Sequence, residues 1–215
     1  MQKRNYQKEL DKLLESLPKD NKPTLLLHAC CAPCSSYTLE YLSRYFRITV
    51  FFYNPNISPE EEFTKRAEEL RRLISEMPLE TPVGLIVAKY DSREFYDAVK
   101  GMEDLPEGGE RCYVCYKLRL DKTALAAAEN GFDYFATTLS ISPYKNAQWL
   151  NDISEELAEI YSVKALPCDF KKRGGYKRSI ELSAQYSLYR QDYCGCVYSR
   201  REREVLKAKR SVSAE

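Results

Sequence analysis

No apolar run in this chain approaches the roughly 20 residues needed to cross a bilayer. The first eight residues, Met1 to Lys8, lack the apolar stretch of a secretory leader, so the expected location is cytoplasmic. Histidine is reduced to one residue, His28, and no internal repeat or low-complexity segment interrupts the 215 positions. The first apolar run, Pro23-Thr24-Leu25-Leu26-Leu27, reads as a buried strand, yet no glycine-rich phosphate loop follows it. A nucleotide enzyme of the open α/β kind would carry one at that point. Here the chain has sulfur: His28-Ala29-Cys30-Cys31-Ala32-Pro33-Cys34.

An apolar fraction of 44% and a charged fraction of 30% are those of an ordinary globular protein. The length suits a single domain over 1–215 with a sizeable core, the basic stretch 171–215 being a helical extension of it. Net charge is only +1, but residues 164–210 hold thirteen Lys/Arg against five Asp/Glu, a net +8 that leaves −7 for the remainder. Such a split implies a polyanionic partner for one face.

Periodicity predicts strand and helix in alternation. Strands are expected at 23–27, 48–53, 83–88 and 134–139, with a short fifth at 163–166. Helices are expected at 6–17, 35–46, 58–77, 92–99, 112–130, 146–160, 179–190 and 199–210. Gly174-Gly175 reads as a flexible hinge before the seventh helix. Alternation of this kind implies βαβ crossovers, hence a three-layer α/β fold whose mostly parallel sheet has helices on both faces. The corners at Tyr53-Asn54, Lys89-Tyr90-Asp91 and Thr138 to Ser140 should then share one sheet edge with the exit of the first strand. That edge is the expected active face.

In a reducing compartment, eight cysteines speak for metal or redox chemistry rather than disulfides. Six form tight pairs: Cys30-Cys31, Cys112-x-x-Cys115 and Cys194-x-Cys196. A Cys-x-x-Cys at a helix start lies where free amides and the helix dipole favour thiolate, and the glycine of Cys-Gly-Cys lets neighbouring sulfurs converge. Two pairs complete a four-sulfur site, and the third leaves ligands for something more. Zinc and disulfide exchange are the rivals to an iron–sulfur centre. The wide separation of the pairs along the chain disfavours zinc knuckles, and the absence of a thioredoxin-type strand-to-helix turn at Cys112 disfavours exchange. Adjacent residues at a strand end face apart, so Cys30 and Cys31 are expected to point in different directions and serve different metals. Cys168 reads as a small buried hydrophobe. Cys34 suits core packing as well as ligation and is left out of the metal set. His28 is either a satisfied interior histidine or a catalytic acid.

Taken together, His-x-Cys-Cys-Ala-Pro-Cys at 28–34, Tyr-Asn-Pro-Asn-Ile at 53–57 and Cys-x-x-Cys at 112–115 form an ordered set. Thr-Thr-Leu-x-x-Ser-Pro-Tyr-Lys at 137–145 and Tyr-Cys-Gly-Cys at 193–196 complete it. The set resembles the epoxyqueuosine reductases of the QueH type. The resemblance implies removal of the epoxide oxygen of epoxyqueuosine at the tRNA wobble position, with a [4Fe–4S] cluster and an additional iron nearby. It also implies an electron donor outside the chain. The strand pattern is similar to the nucleotide-hydrolase-like (HUP-like) sheets of tRNA sulfur-transfer enzymes.

The expected metal ligands are Cys30, Cys31, Cys112, Cys115, Cys194 and Cys196. Asp91 is a candidate to complete the second metal site and His28 a candidate acid. Asn54, Asn56, Ser142 and Lys145 are candidate substrate contacts, and Lys171, Lys172, Arg173, Lys177 and Arg178, with the charged C-terminal helix, are expected to grip the anticodon arm. The alternatives are an iron–sulfur-dependent tRNA thiolase and a zinc-stabilised tRNA-binding module.

Overall fold

The first strand sits at the centre of everything else. In the computed structural model, which describes residues 4–18 and 20–212 with side chains as far as 209, β1 (Thr24–His28) pairs in parallel with β2 (Arg47–Phe52) on one side and β4 (Tyr134–Thr137) on the other. β3 (Gly84–Val87) and β5 (Lys164–Ala165) extend the sheet outward, giving the order β3-β2-β1-β4-β5 with every pairing parallel. Leu25, Leu26 and Leu27 are all buried because helices cover both faces of this strand. The two-residue period sorts them: Leu25 and Leu27 join Val50 and Phe52 in one core, while Leu26 joins Phe51 and Phe135 in the other.

The first core is covered by α1 (Tyr6–Ser16), α2 (Ala32–Leu42), α3 (Glu60–Glu76) and residues around α7 (Gly175–Gln185). The second is covered by α5 (Glu110–Glu129) and α6 (Ala147–Tyr161). The short α4 (Arg93–Ala98) and the terminal α8 (Val197–Val212) meet α5 in a smaller cluster around Phe95, Cys115 and Tyr198. No helix among the described residues is long and apolar enough to cross a membrane.

The strand order reverses between β1 and β4. In open α/β sheets that is where a crevice opens beyond the carboxyl ends. Here β1 stops at His28, and β4 gives way after Thr137 to a 3-10 turn, Thr138–Ile141, in place of the two further strand residues expected. The Thr137 hydroxyl accepts from the Leu139 amide and so caps that turn.

Two helix boundaries differ from expectation in ways that matter. α2 starts at Ala32, three residues early, because Pro33 suits a first turn whose amide needs no partner. Cys34 thereby falls in that first turn. The glycine pair is a close-packed cap and not a hinge. Gly174 takes φ +77° as the residue before α7, and a Cβ on Gly175 would collide with the Phe170 carbonyl and the Tyr37 ring. α7 accordingly begins four residues early and ends at Gln185. Residues 187–196 are thus left as irregular chain that crosses the carboxyl edge of the sheet. The terminal Arg210, counted in the basic segment, has its side chain outside the described residues.

Candidate metal centre

All eight cysteines are free thiols, and seven of them gather beyond β1 in two sets. The first set is Cys30, Cys31 and Cys34, whose sulfurs all lie within 4.8 Å of one another. Cys30 Sγ and Cys31 Sγ are 3.8 Å apart, so the expectation that they point apart fails. The alternation of a strand no longer applies once β1 has ended at His28, and Cys31 is already the residue that caps α2. The same early helix start brings in Cys34, which sequence reasoning set aside. Hydrogen bonds from the Cys30 and Cys34 thiols hold Cys31 well below the usual thiol range, with Arg66 adding to the effect. The Cys31 contact pushes Cys30 up to about 11, and contacts with Cys30 and then Cys31 raise Cys34. Of the three sulfurs, Cys31 is therefore the one its neighbours favour as thiolate.

The second set is Cys112, Cys115, Cys194 and Cys196, which line one small void with Asn56, Tyr116 and Arg119. α5 begins two residues before Cys112, so only Cys112 lies at the helix entrance, where the Gly108 amide donates to its sulfur at 3.2 Å. Cys115 lies deeper, and burial pushes its thiol up to about 11. Cys194 receives a hydrogen bond from Lys145 Nζ at 3.1 Å and Cys196 one from the Ser199 amide at 3.4 Å. Gly195 between them has φ +130°, and a Cβ there would come within 2.9 Å of Ile57 Cγ1 and 3.1 Å of Arg66 Nη1. Only glycine lets the two flanking cysteines sit against that wall.

A cavity of about 560 Å³ opens above the first set. Cys30, Cys31, Cys34 and Cys194 line it, together with Ser142, Lys145, Arg190, Gln191 and Tyr193. Tyr144 (71% exposed), Arg203 and Leu206 also line it, and the Arg203 guanidinium lies 5.9 Å from the Tyr144 ring centre. Lys145 is held between Cys194 Sγ and the Glu107 carboxylate, which in turn accepts from the Ser199 hydroxyl at 2.9 Å. Burial works against the lysine's charge, but the Cys194 sulfur, Tyr116 and Glu107 outweigh it and keep it protonated.

Of the other predicted residues, the structure brings only some to the site. His28 is fully buried: its ring contacts Thr137 Oγ1 at 2.9 Å and the Tyr53 carbonyl at 3.1 Å. Burial and then Arg119 push it down to about 3, so it is a neutral tie between three strand ends and not an acid. Asn54 donates to the Ala29 carbonyl at 2.8 Å and braces the loop that carries Cys30. Asn56 is buried beside the second set with its Oδ1 unpartnered. Ser142 and Lys145 do line the cavity. Asp91 does not: it lies at the outer strand, lines neither space, and is taken up by the Arg93 amide and guanidinium. Among the expected gripping residues, Lys171 pairs with Asp169, Arg173 with Asp11, and Arg178 with Glu40. None of the five basic residues lines the cavity.

Sequence reasoning missed Cys34, Arg66, Glu107, Arg119, Arg190 and Gln191; Arg203 belongs to the C-terminal helix already expected to face the tRNA. Arg119 had a usable signal, since it stands four residues after Cys115 and thus on the same face of α5. Cys168 packs as expected, buried against Ser140 and the Thr137 carbonyl.

The family model described as epoxyqueuosine reductase QueH matches residues 25–202. An epoxyqueuosine reductase QueH of Streptococcus pyogenes serotype M1 is 47% identical over 201 residues, 92% of this chain and 79% of that one. Its counterpart from Staphylococcus epidermidis is 44% identical over 203 residues, covering 92% and 85%, and that of Thermotoga maritima 38% over 183, covering 84% and 92%. Among solved structures, the U34-tRNA thiolase NcsA from Methanococcus maripaludis, determined with its [4Fe-4S] cluster, superposes with a TM-score of 0.51 at 15% identity. The likeness covers 90% of this chain and 68% of that one, and is one of fold.

Proposed function

The chain belongs to the epoxyqueuosine reductase QueH family, and we propose that it removes the epoxide oxygen of epoxyqueuosine in the wobble position of tRNA to give queuosine. The reaction converts an epoxide, with two electrons and two protons, to an alkene and water. Those electrons must reach the epoxide from an external electron donor through a redox-active group of the chain. The observation that carries the reading is a cavity bordered by the first thiol set and by Cys194 of the second.

The donor types present suit the metals the family implies. A metal with about 2.3 Å bonds to sulfur in a tetrahedron has sulfurs about 3.8 Å apart, the spacing of Cys30 and Cys31. Three thiols of this kind bordering an open cavity suit a single iron with a position left for substrate. The four-thiol set of Cys112, Cys115, Cys194 and Cys196 suits a [4Fe–4S] cluster, which takes four cysteines. When bound, the pair supplies electrons and Lewis acidity toward the epoxide oxygen.

The rest falls to the chain's own residues. The cavity shields the reacting ring from bulk water. Lys145 Nζ holds protons at its wall, kept in place by Glu107. Tyr144 and Arg203 at the cavity offer a flat ring and a cation to the unpaired bases and phosphates of an anticodon loop. The thiolase-like fold supports a second reading, sulfur transfer to tRNA. That reading would require ATP, whereas β1 ends in thiols instead of a phosphate loop.

Two measurements decide the matter. Anaerobically purified protein should contain iron and acid-labile sulfide; zinc alone would end the proposal. Incubation of epoxyqueuosine tRNA with reconstituted protein and dithionite should remove 16 mass units, about one oxygen atom, without ATP.

A further inference from the structure

Among the described residues three arginines lie almost wholly inside this molecule, and two of them have carboxylate partners. Arg66 pairs with Glu62 at 2.7 Å and Arg111 with Glu202 at 3.1 Å. Arg119, 1% exposed, has no carboxylate partner among the described residues. Its Nε donates to the Cys115 carbonyl at 3.2 Å, its Nη1 stands 3.5 Å from Asn54 Oδ1, and its Nη2 is buried with no hydrogen-bond partner. It lines the void enclosed by Cys112, Cys115, Cys194 and Cys196. Burial works against its charge; the groups that offset burial are Cys115, Cys194 and Cys30, which span both thiol sets.

A permanently charged guanidinium in such a place is costly unless an anion faces it. The surroundings provide no carboxylate, and a spare donor borders a space walled by thiols. We propose that Arg119 is the charge partner of the anionic centre held by Cys112, Cys115, Cys194 and Cys196, donating from Nη2 and favouring its reduced state. The inference rests on the iron–sulfur reading of that site. Four thiolates outweigh the positive charge of an iron–sulfide core, and each added electron makes the centre more negative. A fixed cation and N–H donor beside it therefore raise its reduction potential. The lysine at 145 cannot take this role alone, because Glu107 shares its charge.

The arrangement has an unusual consequence. With the centre in place Arg119 is matched, and without it Arg119 is an unpaired buried charge. Replacing it with an apolar side chain of similar length should thus act in opposite directions on the two forms. In Arg119→Met the metal-free chain is expected to melt at the wild-type temperature or higher, while the gain in melting temperature on loading shrinks. A dye-mediated anaerobic titration with dithionite, followed by visible absorbance, should place its midpoint potential below that of the wild type. Arg119→Lys should recover part of that shift.

If the wild type itself holds no iron and sulfide, the functional reading fails before Arg119 is reached. If it loads, and Arg119→Met loads with an unchanged potential while melting lower in both forms, Arg119 is a packing residue and the inference is overturned. Loss of loading in Arg119→Met restored by Arg119→Lys supports the charge pairing, and loss in both overturns it.

Discussion

His28 shows how a chemically tempting residue becomes structural. It is the only histidine and lies two positions before Cys30, yet both ring nitrogens are engaged by Thr137 and the Tyr53 carbonyl in a space without water access. His28→Leu would remove the ring's contact with the Tyr53 carbonyl and leave the Thr137 hydroxyl only its bond from the Leu139 amide. A loss of about 1–3 kcal/mol is expected, read as a lower urea midpoint in the metal-free chain. Cys34 makes the reverse case. Its sulfur completes the first thiol set, so Cys34→Ser should lower the bound metal measured by elemental analysis while circular dichroism stays unchanged. Cys168→Ser should leave metal content alone, because Cys168 packs against Ser140 away from both sets.

Among the elements, the central strands are tied at both ends. At the carboxyl end the tie is His28. At the amino end Asp133, just before β4, accepts from the Thr24 amide and hydroxyl of β1, both at 2.8 Å. Those two hydrogen bonds hold its carboxyl below the usual range. A depressed carboxylate contributes stability that is present above its unfolded value of about 3.9 and lost as pH falls through the folded value. Asp133→Ala should therefore cost about 1 kcal/mol or less at pH 7, since the group is exposed. The difference from wild type should close below pH 4 in denaturant titrations at several pH values. Strand positions were legible because burial on both faces demands unbroken apolar runs. Helix starts were less so, because Pro33 and Gly174-Gly175 admit more than one local geometry until α7 packs on Tyr37 of α2.

Over the whole molecule, the question is where a polyanion would sit. The surplus of positive charge in residues 164–210 is real, but much of its middle is spent within the fold, on Asp169, Asp11 and Glu40. The cations that line the cavity are Arg190, Arg203 and Lys145. Binding of an anticodon stem-loop should weaken steeply with salt. Arg203→Ala should reduce the slope of log K against log salt by about one and weaken binding across loop sequences. Lys177→Ala, exposed on α7 outside the cavity lining, should do so less. Equal slopes for wild type and Arg203→Ala would remove Arg203 from the interface.

Hydrophobic period, paired thiols and ordered motifs are properties of neighbouring residues, so the parallel α/β layering, the three cysteine pairs and the family are legible along the chain. The sequence does not settle which sulfurs converge. A spacing of 3.8 Å between Cys30 and Cys31 depends on where β1 stops and how α2 turns in. The partnership of Cys112 and Cys115 with Cys194 and Cys196 depends on chain that returns from beyond α7. Nor could it decide which charges are spent inside the fold and which are left at the cavity. That follows from which surfaces meet, and a charge keeps or loses its counter-ion only when they do.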